Sequence, residues 1–160
     1  MSKRLCIFGT HHEFQVDSPM DARFNQFLRA LIADHKVDTI LEEASGLPPK
    51  SCVELLADGL SIRWANMDLT AEERKLIPDA ALKSVYCDTF QDLSLHTLRE
   101  KAWVEKIISD TKLNSGLLIV GLCHVFSFSE KLLKLGFEVE VHAYSPNRIF
   151  NWSGRPRISV

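Results

Sequence analysis

Two histidines stand at the same place in two similar settings. "CIFGTHHEF" carries Gly9-Thr10-His11-His12, and "LLIVGLCHVF" carries Gly121-Leu122-Cys123-His124. In each, an apolar run breaks at a glycine and a histidine follows three residues later. Glycine permits a sharp strand exit or a close backbone approach, so the histidine is able to turn back over the end of a sheet. One G-x-x-H carries little information, but two at predicted strand ends point to a shared site. Carboxylates fall at matching places: Glu42 and Glu43 end "VDTILEE", and Asp68 ends "SIRWANMD". Two imidazoles with one or two carboxylates suit a divalent metal with an open coordination position, or acid–base work without one.

With a metal, His12, His124 and one of Glu42 and Glu43 are the expected ligands of Mn, Co or Zn. The ion would lower the pKa of a bound water, and a second carboxylate would take the proton. Arg99 would then stabilise the developing oxyanion. Without a metal, one histidine becomes the general base, oriented by a glutamate. No G-x-S-x-G elbow occurs, which argues against a serine hydrolase.

Several of these residues also have plainer readings. His11 and His12 are adjacent and point in different directions; His12 reads as functional and His11 as solvated or supporting. Alternation along a strand sends Glu42 and Glu43 to opposite faces, and the sequence does not say which faces the site. Arg99 opens "REKAWVEKI", where Arg99, Trp103 and Lys106 share a helix face. It reads either as a surface arginine over a buried tryptophan, or as a cation for a substrate oxygen or for the Glu42 carboxylate. Cys123, directly before His124, is expected to face the core, and Cys6 to be a small buried thiol. His35, His96 and His142 have no partner at motif spacing and read as structural.

The elements that must position these groups alternate through the chain. "RLCIF", "VDTILEE", "SIRWANMD", "GLLIVG" and "FEVEVHAY" read as strands, the last half-buried or at an edge. Between them, "SPMDARFNQFLRALIADH" opens with Ser18 as N-cap and Pro19 at N1 and shows a helical apolar stripe. "SCVELLAD" is a short helix after the "GLPPK" turn, and "LTAEERKLIPDAAL" is a helical turn broken at Pro78. About 92–112 is the longest helical pattern, and "SFSEKLLKLG" ends at Gly136 as a C′ residue. The pattern predicts a single α/β domain over 1–145, a mainly parallel sheet flanked by helices on both faces. Residues 146–160 read as a polar, basic tail, loose or docked on a partner through Trp152, Arg148, Arg155 and Arg157.

Composition narrows the partners. A chain of 160 residues with 46% apolar content buries about two thirds of its unfolded surface, enough for one core without cross-links. The net charge of −2 argues against a nucleic-acid partner, which needs a surplus of Lys and Arg on one face. No apolar stretch approaches a membrane span, the start is unlike a signal peptide, and four scattered cysteines read as reduced. A cytoplasmic protein acting on a small molecule or peptide is expected.

The order strand-Gly-x-x-His, strand ending in Glu, strand ending in Asp, helix with Arg99-Glu100 and Trp103, then strand-Gly-x-x-His resembles the TIKI/TraB (PrgY) clan. That clan also takes in the erythromycin-esterase-like and ChaN-like proteins. The resemblance runs from Leu5 to about Val141. It implies an α/β fold with a cleft at the strand ends, with His12, Glu42 and His124 as the core of the site, Arg99 supporting it and Asp68 nearby. For the TIKI branch it implies metal-dependent peptidase chemistry, for others lactone hydrolysis or haem-linked binding. The chain is shorter than typical members and without the helical insertions that cover their cleft. A chain of this kind either closes its site as a homodimer or serves as a binding protein. Two classes of function follow: a hydrolase of peptide, ester or amide bonds, and a non-catalytic ligand-binding or regulatory module.

Overall fold

The computed structural model describes residues 3–16, 20–44, 50–75, 93–145 and 148–152. In chain order these form β1 (Arg4–Thr10), the helical turn α1 (Glu13–Val16), α2 (Ala22–His35), β2 (Thr39–Glu42), α3 (Cys52–Leu60), β3 (Arg63–Asn66), α4 (Ala71–Lys75) and α5 (Leu93–Ser109). They continue with β4 (Ser115–Gly121), a 3-10 turn (Leu122–His124), α6 (Val125–Lys134), β5 (Glu138–Ser145) and β6 (Arg148–Trp152). The strands make one sheet in the order β3-β2-β4-β1-β5-β6. Five run parallel, and β6 pairs antiparallel to β5 at one edge. This is the α/β fold that the alternating pattern predicts.

Strand alternation builds two cores. Cys6, Phe8, Ile40, Leu117 and Ile119 pack with Phe24, Leu28 and Leu31 of α2 and Val53 and Leu56 of α3. Leu5, Ile7, Leu41, Leu118 and Val120 point the other way, to Trp103 and Ile107 of α5 and Val125, Phe128 and Leu132 of α6. Strands covered on both faces need apolar residues at successive positions, hence the unbroken runs in β1 and β4.

The helices after β1 and β2 lie on one face, and those after β3 and β4 on the other. Neighbouring strands β1 and β4 therefore send their outgoing connections to opposite faces. In open α/β sheets this opens a crevice at the carboxyl ends of the strands, the usual place for a ligand. Gly9 lets the start of α6 close onto β1, since a Cβ there would lie 2.3 Å from Cγ2 of Val125.

Two local expectations change and a third holds. The N-cap of α2 is Asp21, not Ser18: its side chain accepts from the N–H groups of Arg23 and Phe24 at 3.0 and 2.9 Å, satisfying two orphan donors at once. Part of the expected tail, Arg148–Trp152, is strand β6, so β5 has a neighbour on both sides. Gly136 does end α6, at φ +83°, with its N–H on the Leu133 carbonyl and that of Phe137 on Leu132. The "GLPP" turn residues, Pro78, Cys87 and 153–160 fall outside the described residues, as do Ser18 and Pro19 themselves. Among the described residues no helix is long and apolar enough to cross a membrane.

Candidate functional site

The crevice between β1 and β4 collects the polar residues of four strand ends. His12 leaves β1 with its side chain half exposed. Its Nδ1 lies 2.6 Å from Oε1 of Gln15, and its Nε2 lies 3.6 Å from Oε1 of Glu43. Gln15 is fully buried, and its amide NH2 donates to Oε1 of Glu42 at 2.9 Å and to the Glu43 carbonyl at 3.2 Å. The amide oxygen is thereby turned to His12, which makes Nδ1 the donor and leaves the lone pair of Nε2 in the crevice. His11 is exposed and touches Phe14.

Glu42 and Glu43 part as alternation requires, and Glu43 is the one that meets the histidines. Its Oε2 accepts the Gly121 N–H at 2.8 Å. Its Oε1 accepts from a guanidinium NH2 of Arg99 and faces Nε2 of both His12 (3.6 Å) and His124 (3.7 Å). The two G-x-x-H motifs thus close on one carboxylate oxygen. Gly121 allows this approach, because a Cβ there would come within 3.2 Å of His12 Nε2 and 3.4 Å of Glu43 Oε2. Glu42, expected as a metal ligand, turns away and is capped by Ser51 Oγ (2.6 Å), Trp64 Nε1 (2.7 Å) and Gln15. Burial raises its pKa against the pull of those three donors. It acts on the site only through Gln15.

Arg99 is an inward cation. It grips Asp68 with two nitrogens, Nε to Oδ1 at 3.0 Å and NH2 to Oδ2 at 2.8 Å, and it lies over the Trp103 ring at 5.1 Å. Trp103 Nε1 donates to the same Asp68 at 3.2 Å, and Lys106 Nζ donates to the Asp68 carbonyl at 2.7 Å. The helix face read at i, i+4, i+7 therefore converges on the end of β3. Burial opposes the charge on Arg99, but Glu43 and Asp68 outweigh it and hold the guanidinium protonated.

His124 is buried at the end of the 3-10 turn, with Nδ1 on Oε1 of Glu100 at 2.9 Å. Glu100 also accepts from Ser127 at 2.6 Å and from Lys131. Burial lowers the His124 pKa, yet hydrogen bonds to Cys123 and Glu100 and the charge of Glu43 lift it to about 9. The imidazolium is the resting form at neutral pH. Burial likewise works against the Glu100 carboxylate, and His124, Lys131 and Ser127 reverse the balance and hold its pKa low. Cys123 is exposed rather than turned to the core, because the 3-10 turn rotates it outward beyond Gly121.

These residues do not fit a divalent ion. Arg99 lies 3.5 Å from Nε2 of His124 and pairs with Glu43, so a guanidinium stands where the two histidines and the carboxylate would meet a metal. Among the described residues, the one group of three metal-ligating side chains with donor atoms within 4.8 Å of one another lies elsewhere.

The structure thus brings together His12, Glu43, Asp68, Arg99 and His124 and leaves Glu42 behind them. Sequence reasoning missed Gln15, which sits three residues after His12 on the same helical turn, and gave Glu100 no role of its own. Compared with protein-family models, curated proteins and solved structures, the chain finds no match.

Proposed function

We propose that this protein is a metal-independent hydrolase of a small carbonyl substrate, an ester, lactone or amide, with His12 as general base. The observation that carries the reading is the half-exposed His12, its Nδ1 tied to Gln15 and its Nε2 open beside Glu43. Nε2 takes a proton from water as the oxygen adds to the substrate carbonyl carbon, and the carbonyl electron pair moves to its oxygen. Glu43 stabilises the imidazolium that forms. Arg99 and protonated His124 supply positive potential behind the crevice for the oxyanion. When the tetrahedral intermediate collapses, the leaving oxygen or nitrogen takes the proton back from His12. The resemblance to the clan with a lactone-hydrolysing branch agrees with this reading, whereas its metal-dependent peptidase branch does not suit the donor set.

A second reading, a binding module without turnover, is favoured by one observation: Arg99 spends its Nε and NH2 donors on Glu43 and Asp68. The test is a panel of activated esters, lactones and anilides against wild type and His12→Ala, with matched circular dichroism. Hydrolysis by wild type that falls roughly 10²–10⁴-fold in His12→Ala is expected. Turnover unchanged in the variant overturns the assignment. A compound that raises Tm in both proteins and is cleaved by neither supports the binding module.

A further inference from the structure

Three residues without partners at motif spacing meet away from the crevice, where the end of α2 lies against β1 and β5. Cys6 lies near the start of β1, His142 in the adjacent β5, and His35 is the last residue of α2. Their ligand atoms all lie within 4.8 Å of one another. Cys6 and His142 are buried, at 1% and 9% exposure, and His35 sits at the rim. Cys6 lies about 13 Å along β1 from Thr10, where the crevice opens, four residues at the strand rise, and His142 is level with Phe8.

The arrangement is built rather than incidental. Nε2 of His142 bonds Oε1 of Glu140 at 2.9 Å, which fixes the tautomer: Nε2 carries the hydrogen and Nδ1 the lone pair. Nδ1 is buried and has no hydrogen-bond partner among the described residues. An orphaned imidazole lone pair in a dry interior carries a desolvation cost that a ligand would remove. A carboxylate on the far nitrogen of a histidine is also the usual support for a metal-binding imidazole. Glu140 reaches toward His35 as well, with its Oε1 3.8 Å from Nε2. His35 is held in place from behind, where its carbonyl accepts from Ser115 Oγ at 2.7 Å and Lys36 takes a left-handed cap at φ 49°.

We propose that Cys6, His35 and His142 form a site for one Zn²⁺ ion, bound by the Cys6 sulfur, a ring nitrogen of His35 and Nδ1 of His142, with solvent in the fourth position. One thiolate and two neutral imidazoles are the soft-to-borderline donors that select zinc over magnesium or calcium. On binding, the Cys6 thiol gives its proton to solvent and the sulfur takes the ion. The site joins α2, β1 and β5, so the ion acts as a clasp between elements far apart in sequence.

The test uses full-length protein, stripped with chelator and titrated with Co²⁺, then Zn²⁺. One equivalent of Co²⁺ is expected to give a thiolate charge-transfer absorption that Zn²⁺ abolishes, and Zn²⁺ is expected to raise Tm. Cys6→Ser should lose the absorption, while Cys123→Ser, at the exposed thiol, should keep it. His35→Gln, at the rim and least able to disturb folding, should weaken binding at least tenfold with an unchanged circular dichroism spectrum. Glu140→Gln should weaken it roughly 10–100-fold. No absorption and no Tm shift in wild type, or an affinity equal in wild type and His35→Gln, overturns the proposal.

Discussion

Oε1 of Glu43 is the atom on which the strand-end network turns, since Arg99 donates to it and both motif histidines face it. Removing the cation therefore strands charges. Arg99→Met leaves Glu43 and Asp68 buried without their partner, and a loss of about 3–5 kcal/mol in urea unfolding is expected. Arg99→Lys should recover only part of that, because a single ammonium does not reproduce the two-nitrogen grip on Asp68. The sequence required that only one of Glu42 and Glu43 face the histidines, but which one depends on how β2 registers against β4. Glu42 pairs with Ile119 and lies on the face under α3, a fact of sheet assembly that local pattern does not contain. The exposure of Cys123 was hidden for a similar reason, since a 3-10 turn and a direct entry into α6 aim the same residue differently.

Elements were more legible than their partners. Unbroken apolar runs announced β1 and β4, and the helical stripe announced the buried Phe24, Leu28 and Leu31 of α2, but not Ile32. Gly9 shows how one element depends on another. Gly9→Ala would drive a methyl into Val125, so a loss of about 1–3 kcal/mol is expected, with Val125→Ala in the same chain restoring much of it. A thermal-unfolding comparison of the two single variants and the double variant checks this. In sequence the five residues of β6 read as tail because their polar, basic context masks a short strand, and only the edge of β5 gives them a role. Cys6 reads as a buried thiol and His35 and His142 as structural because nothing in sequence spacing links β1, the end of α2 and β5.

At the scale of the molecule, the buried ionic groups set how stability follows pH. The His124 pKa is raised from its ordinary 6.5 to about 9, so its contribution is whole below pH 6.5 and is lost as pH climbs through 9. Wild-type Tm is expected to fall across that window, and His124→Gln to start lower and run flatter, as a series of melts from pH 6 to 10 would reveal. The Glu100 carboxylate works at the other end: its lowered pKa gives stability that is present above its ordinary 4.5 and fades in acid. The sheet order has a different consequence. Strands β1, β2 and β3 come from the first half of the chain and β4, β5 and β6 from the second, yet β4 lies between β2 and β1. The crevice takes His12, Glu43 and Asp68 from one half and Arg99 and His124 from the other. Neither half owns a contiguous sheet, so a chain cut between Lys75 and Leu93 would yield two pieces that make sense only together. Reunited, they would report their meeting by regaining the crevice, a two-part lock in which each part holds half of the tumblers.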